Sequence, residues 1–156
     1  MRIAILSDTH GNYAQALRSL DHSGAFDCVI HLGNTTDDAE IIELALEREL
    51  FIVSGNCDPG GNYPRSMTLE LAGKRFFICH GDRFHVKSGL TGLYQKALQA
   101  GADIVLYGHT HIPLIKEING IQFINPGAMK LSSKNPTMGI LHIEEGVVRA
   151  EILDVN

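Results

Sequence analysis

Tryptophan is absent, cysteine is scarce, and no long apolar run interrupts the chain. The three cysteines, Cys28, Cys57 and Cys79, form no even set and no C-x-x-C pair, which excludes a disulfide framework and a zinc ribbon. They read as reduced thiols. No apolar stretch approaches the roughly 18 residues that a membrane-spanning helix requires. Met1-Arg2 leads into a short apolar run without a signal-peptide cleavage pattern. The expectation is a soluble, cytoplasmic protein with no membrane contact. Basic residues are also in deficit. Thirteen Lys plus Arg face eighteen Asp plus Glu, a formal charge of -5, which disfavours capture of a nucleic-acid backbone. No Pro-, Ser- or charge-rich linker, repeat or low-complexity segment divides the 156 residues, so a single domain over 1–156 is expected.

Against this background, eight histidines are an excess, and several stand beside glycine at the ends of apolar runs. The runs themselves predict the fold. Arg2 to Leu6 reads as a strand. Asn12 stands where it can cap a helix whose apolar positions Tyr13, Ala16, Leu17 and Leu20 follow helical spacing. Cys28 to Leu32 is a second strand, a helix starting at Asp37 or Asp38 follows through Leu46, and Leu50 to Val53 is a third strand. This alternation predicts a parallel sheet with right-handed crossovers. From about residue 60 the pattern changes. Met67 to Leu71 and Arg75 to Cys79 flank an Ala72-Gly73-Lys74 turn, and a helix near Leu90 to Gln99 precedes a strand at Ile104 to Tyr107. Leu114 to Ile118 and Ile121 to Ile124 flank Asn119-Gly120, and Met138 to Ile143 and Val147 to Leu153 flank Glu145-Gly146. The tail is expected to be antiparallel. About ten strands are too many for one flat sheet, so the expected class is α/β, with two packed mixed β-sheets flanked by helices in an α/β/β/α sandwich.

Five segments share one design, an apolar strand running into a turn that carries Gly with His, Asp or Asn. They are Asp8-Thr9-His10-Gly11, Gly33-Asn34, Gly55-Asn56-Cys57-Asp58, His80-Gly81-Asp82 and Gly108-His109-Thr110-His111. Each alone suits an ordinary turn. Together, at successive strand ends where α/β folds collect ligands, they point to a metal centre, because imidazole nitrogen and carboxylate or amide oxygen bind borderline and hard divalent ions. Asp8 with His10, and His109 with His111, are each separated by one residue and so point to the same side of an extended segment. His22, His31 and His142 lack such company and read as structural. His85, close behind Asp82 and Arg83, is a candidate for reaching substrate.

At these residues the sequence resembles the calcineurin-like metallophosphoesterase superfamily, and in particular its small bacterial and archaeal phosphodiesterases. The family pattern D-x-H, G-D, G-N-[HC]-[DE], a lone His before Gly, and G-H-x-H is met in order across about residues 3 to 111, apart from Asn34 in place of the Asp of G-D. Asn125-Pro126-Gly127 is similar to a later turn of the family. The resemblance implies a dinuclear centre in which Asp8, His10 and His111 hold one divalent ion and Asn56, His80 and His109 the other. It further implies hydrolysis of a small phosphodiester by a hydroxide held between ions ~3.5 to 4 Å apart. Mn²⁺ is the first choice, with Ni²⁺, Fe²⁺ and Zn²⁺ as alternatives. Asn12 is a candidate for substrate contact, and Cys57, Asp58 and His85 are candidates for assisting the leaving group.

Two departures from the pattern stand out. Cys57 replaces the His that many relatives carry after Asn56, and Asn34 occupies the place of the bridging Asp. An amide oxygen leaves the ions with one negative charge fewer than a carboxylate would, so weaker binding of one ion is expected. Competing readings are a phosphomonoesterase and a non-catalytic protein-binding scaffold, since the superfamily includes a retromer subunit that uses this fold for assembly. The retained Asp8, His80, His109 and His111 argue against a scaffold. A homo-oligomer is compatible with the sequence.

Overall fold

Alternation along each buried strand builds the layers. The computed structural model describes residues 1–155. In β1 (Arg2–Leu6) successive side chains point to opposite faces. Ala4 and Leu6 pack with Ala16 and Leu20 of α1 (Tyr13–His22) and Ala39 and Ile42 of α2 (Thr36–Leu46). Ile3 and Ile5 turn the other way and meet Phe76, Ile78, Ile104, Leu106 and Ile124 of a second sheet. That second sheet repeats the device. Phe77, Val105, Tyr107 and Phe123 face outward onto Leu93 and Ala97 of α3 (Thr91–Ala100). The order is helices, sheet, sheet, helix, which is the sandwich expected from the strand count.

The first sheet runs β10-β9-β1-β2-β3 and the second β4-β5-β6-β8-β7. β2 (Cys28–His31) and β3 (Phe51–Ile52) lie parallel to β1 through the two crossover helices. On the other side of β1, the antiparallel pair β9 (Thr137–Glu144) and β10 (Val147–Asp154) completes the sheet. In the second sheet β4 (Ser66–Leu71) pairs antiparallel with β5 (Lys74–Cys79), and β5 pairs parallel with β6 (Ile104–Leu106). The last hairpin is β7 (Leu114–Ile118) with β8 (Ile121–Asn125). The three hairpins turn on Ala72-Gly73, Asn119-Gly120 and Glu145-Gly146. Both residues of each turn have positive φ, the mirror-image turn whose twist matches the strands.

Three expectations need correction. The tail is not antiparallel throughout, because β8 lies parallel to β6. The Asn119-Gly120 turn dictates only the β7 neighbour and leaves the other edge of β8 to find its own partner. Nor does Asn12 cap α1 through its side chain. Its amide is buried and donates instead to the Met129 carbonyl at 2.6 Å, a bond that fastens the start of α1 to the loop before β9. Helix α2 begins at Thr36 rather than at Asp37 or Asp38, with Thr35 as the extended residue before it. No helix among the described residues is long and apolar enough to cross a membrane.

Ile5 is fully buried between the sheets. Ile5→Ala should therefore lower unfolding stability by about 3 kcal/mol through lost burial and a residual cavity, read as a reduced urea midpoint with an unchanged m-value.

Candidate metal centre

The polar turns follow the carboxyl ends of β1, β2, β3, β5 and β6, so both sheets deliver residues to one end of the sandwich. Asp8 is the centre of the arrangement. Its side chain is wholly buried. Oδ1 lies 3.0 Å from His111 Nε2, 3.6 Å from His10 Nε2 and 4.0 Å from His80 Nε2. Oδ2 accepts the Ser7 hydroxyl at 2.6 Å and the His109 N–H at 3.2 Å. Burial by itself would raise the Asp8 pKa. The neighbouring His80, the Ser7 hydroxyl, His111 and the His109 amide outweigh it and hold the carboxyl below its ordinary range.

The backbone is bent to make this convergence. Asp8, His10, Asn34, His109 and His111 all have φ between 44° and 67°, a conformation that non-glycine residues adopt at a cost. Its concentration on five candidate ligands marks the site as the place where local preference yields to side-chain placement. Gly108 is required by close approach, since a Cβ there would run into the Ser7 hydroxyl and press on the Asp8 carboxylate. A Cβ on Gly55 would likewise overlap the Asn34 amide.

Asp8, His10 and His111 bring one carboxylate oxygen and two imidazole nitrogens within 4.8 Å of one another. His10 and His111 are about one-third exposed, which leaves coordination positions open towards solvent. This donor set fits a divalent ion. Beside it, His80 is buried and its Nδ1 donates to the Leu32 carbonyl at 2.7 Å, so Nε2 keeps its lone pair on the side of the site. His109 Nδ1 lies 3.2 Å from that nitrogen. Burial pushes the pKa of both histidines down, which favours the neutral, ligating form.

Asn34 is oriented by a neighbour. Its Oδ1 accepts the Cys57 N–H at 3.0 Å, and turning the amide over would set two donors face to face. The NH₂ group therefore points inward, 3.2 Å from Asp8 Oδ1 and 3.3 Å from Asn56 Oδ1. A hydrogen-bond donor that cannot ligate thus stands between Asp8 and Asn56, the oxygen donors of the two expected sets. The second set, Asn56, His80 and His109, fits an ion less well than the first.

Asp58 is not placed as an acid. Burial would raise its pKa, but the N–H groups of Gly55, Asn34 and Thr36 outweigh burial and hold it below 3.8. Oδ2 accepts from Gly55 at 2.6 Å and Asn34 at 2.9 Å, and Oδ1 from Thr36 at 2.8 Å. The carboxylate splints the second and third loops together. Cys57 is exposed, with Sγ 3.4 Å from the Asn56 amide and no His or Asp partner among the described residues. His85 is exposed beyond a short 3₁₀ turn at Asp82–Phe84 and makes no side-chain hydrogen bond among the described residues. Asn12 is buried on Met129 and is not presented to the site.

Other residues hold the centre from outside the five motif turns. Asn125 donates to the Gly108 carbonyl and the Thr110 hydroxyl, and accepts from Gly127. The Arg65 guanidinium joins the Gly55 carbonyl to Asp82. His31 is fully buried. Its Nδ1 accepts the Gly33 N–H, its Nε2 meets the Thr9 hydroxyl, and burial lowers its pKa to about 4.

Residues 1–146 match the calcineurin-like phosphoesterase superfamily domain. A probable metallophosphoesterase of Bacillus subtilis, YsnB, is 29% identical over 158 residues, covering 99% of this chain and 91% of its own. The phosphodiesterase MJ0936 of Methanocaldococcus jannaschii is 28% identical over 173 residues, with 99% and 100% covered. Among solved structures, a Streptococcus pneumoniae protein described as a predicted phosphoesterase superposes with a TM-score of 0.81 at 26% identity. The match covers 98% of this chain and 88% of that one.

Asp58→Asn should cost about 2 kcal/mol at neutral pH, because an amide cannot accept from all three N–H groups and one buried donor loses its partner. A depressed carboxyl pKa contributes stability that is present above 3.8 and lost as pH falls through the folded value. The stability gap between wild type and variant should therefore narrow below pH 3.8, as followed by urea unfolding across a pH series.

Proposed function

The chain belongs to the calcineurin-like phosphoesterase superfamily, and we propose on that footing that it hydrolyses small phosphodiesters with divalent ions, Mn²⁺ first among them. The observation that carries this reading is the convergence of His10, His80, His111 and the Asn34 amide on one buried Asp8 oxygen. An inert packing role gives no reason for that convergence on strained loops. Asp8, His10 and His111 would hold the first ion, and Asn56, His80 and His109 the second. Divalent ions supply charge for the phosphoryl oxygens and lower the pKa of water.

The protein's own contribution is positional. Ser7 and the His109 amide keep Asp8 ionised and aimed. The Leu32 carbonyl sets the His80 tautomer. Asp58, through the Asn34 and Gly55 amides, keeps the second and third loops in register. Asn34 tunes occupancy. Its inward NH₂ takes one lone pair of Asp8, which keeps others for an ion shared with His10 and His111. It also engages the Asn56 oxygen, the only oxygen donor of the second set, so the second ion is held more weakly than the first.

Purified protein supplied with Mn²⁺ should release p-nitrophenol from bis(p-nitrophenyl) phosphate faster than from the monoester. Chelator should abolish release, and His111→Ala should lower it by at least a hundredfold with the circular dichroism spectrum retained. Turnover that survives exhaustive metal removal would eliminate the reading, and a metal-loaded protein without any turnover would favour the scaffold.

Asn34→Asp should move the Mn²⁺ concentration for half-maximal rate downward and raise the bound metal, by elemental analysis, from near one towards two ions per chain. Superimposable titrations would show that residue 34 does not govern the second ion.

A further inference from the structure

Beside the His109-Thr110-His111 turn lies a groove of about 730 Å³, a volume within the range that holds a small organic ligand. Its floor is the buried Val86 and Tyr107, and its walls are Leu90, Ile112 and Leu114. Ile112 is 68% exposed and Leu114 38%. They are large aliphatic side chains left uncovered next to polar turns. Thr110, between the two candidate ligands, lines the groove, and its hydroxyl is held by the Asn125 amide and the Ile112 N–H. Groove and centre therefore share one short turn.

The charge of the groove runs against that of the chain. The whole protein carries -5, yet the charged residues of this lining are Lys87 and Lys116, with no carboxylate among them. An anionic group is thus favoured beside the apolar lining.

We propose that this groove is the subsite for one alcohol of the substrate, and that the alcohol has an aromatic or aliphatic body carrying a further anionic group. The proposal rests on the phosphodiesterase reading of the adjoining centre. With phosphorus at the Asp8 cluster, one ester arm crosses Thr110, its apolar body lies on Val86 and Tyr107 between Ile112 and Leu114, and its distal anion meets Lys116.

The test compares three p-nitrophenyl phosphodiesters whose second ester group is methyl, phenyl or 4-carboxyphenyl, with the Mn²⁺-loaded enzyme. The expected order of kcat/KM is carboxyphenyl above phenyl above methyl, each step about tenfold. Ile112→Ser with Leu114→Ser should collapse the phenyl-to-methyl ratio, and Lys116→Glu the carboxyphenyl-to-phenyl ratio. Calorimetry with 4-carboxyphenyl phosphate supplies a readout that needs no turnover, and Lys116→Glu should weaken its binding about tenfold. Equal kcat/KM for the three diesters, variants that slow all three alike, or binding indifferent to Lys116→Glu would each overturn the subsite. Absence of turnover from any diester would instead overturn the phosphodiesterase reading, while the calorimetric comparison would still decide the groove.

Discussion

One buried carboxylate organises this end of the molecule. Asp8 sits where desolvation alone would raise its pKa, and imidazoles, a hydroxyl and a backbone amide outweigh that and hold the carboxyl below its ordinary range. Remove those partners and the charge would be unsupported in a site with almost no water contact. The partners come from the first and second sheets alike, so the carboxylate can be satisfied only when the two sheets are packed. The folding of the core and the assembly of the centre are thereby the same event, seen at Ile5 and three residues later at Asp8.

Asp58 has a parallel role farther from the centre. It touches no candidate ligand through its own oxygens except by way of the Asn34 backbone, yet three amides on two loops depend on it. A carboxylate that accepts several N–H bonds is strongly biased towards its charged form. That bias makes it a poor proton donor and a good brace. The same logic explains Asn34. Its side-chain oxygen is engaged by Cys57, so only its donor end can face the centre.

Layering was legible because the strands are short, apolar and alternately directed. Ile3 and Ala4 already point to two different partners, and the X-Gly turns announce their hairpins. The five motif turns were legible as a group because Gly, His, Asp and Asn recur after successive strands. What the sequence withheld were long-range choices. Nothing local indicates that β8 lies beside β6, that Asn12 reaches Met129, or that Asp58 serves backbone amides rather than a leaving group. Ser7 was equally silent, since a serine before an aspartate has ordinary uses. The Asn125-Pro126-Gly127 turn was legible only as a resemblance, without the bonds Asn125 makes to Gly108 and Thr110. The candidate ligands were found by residue type, whereas the residues that orient them were found only by contact.

The close seating of Gly108 against Ser7 has a mechanical meaning. The turn after β6 and the turn after β1 belong to different sheets, and between them there is room for a hydrogen atom but not for a methyl group. Outside the greasy interlayer, the His109 N–H to Asp8 bond is a polar rivet across that seam. Any sliding of one sheet over the other would shear this bond early. The exchange rate of a single amide proton, that of His109, therefore serves as a gauge of how rigidly the two halves of the sandwich are joined.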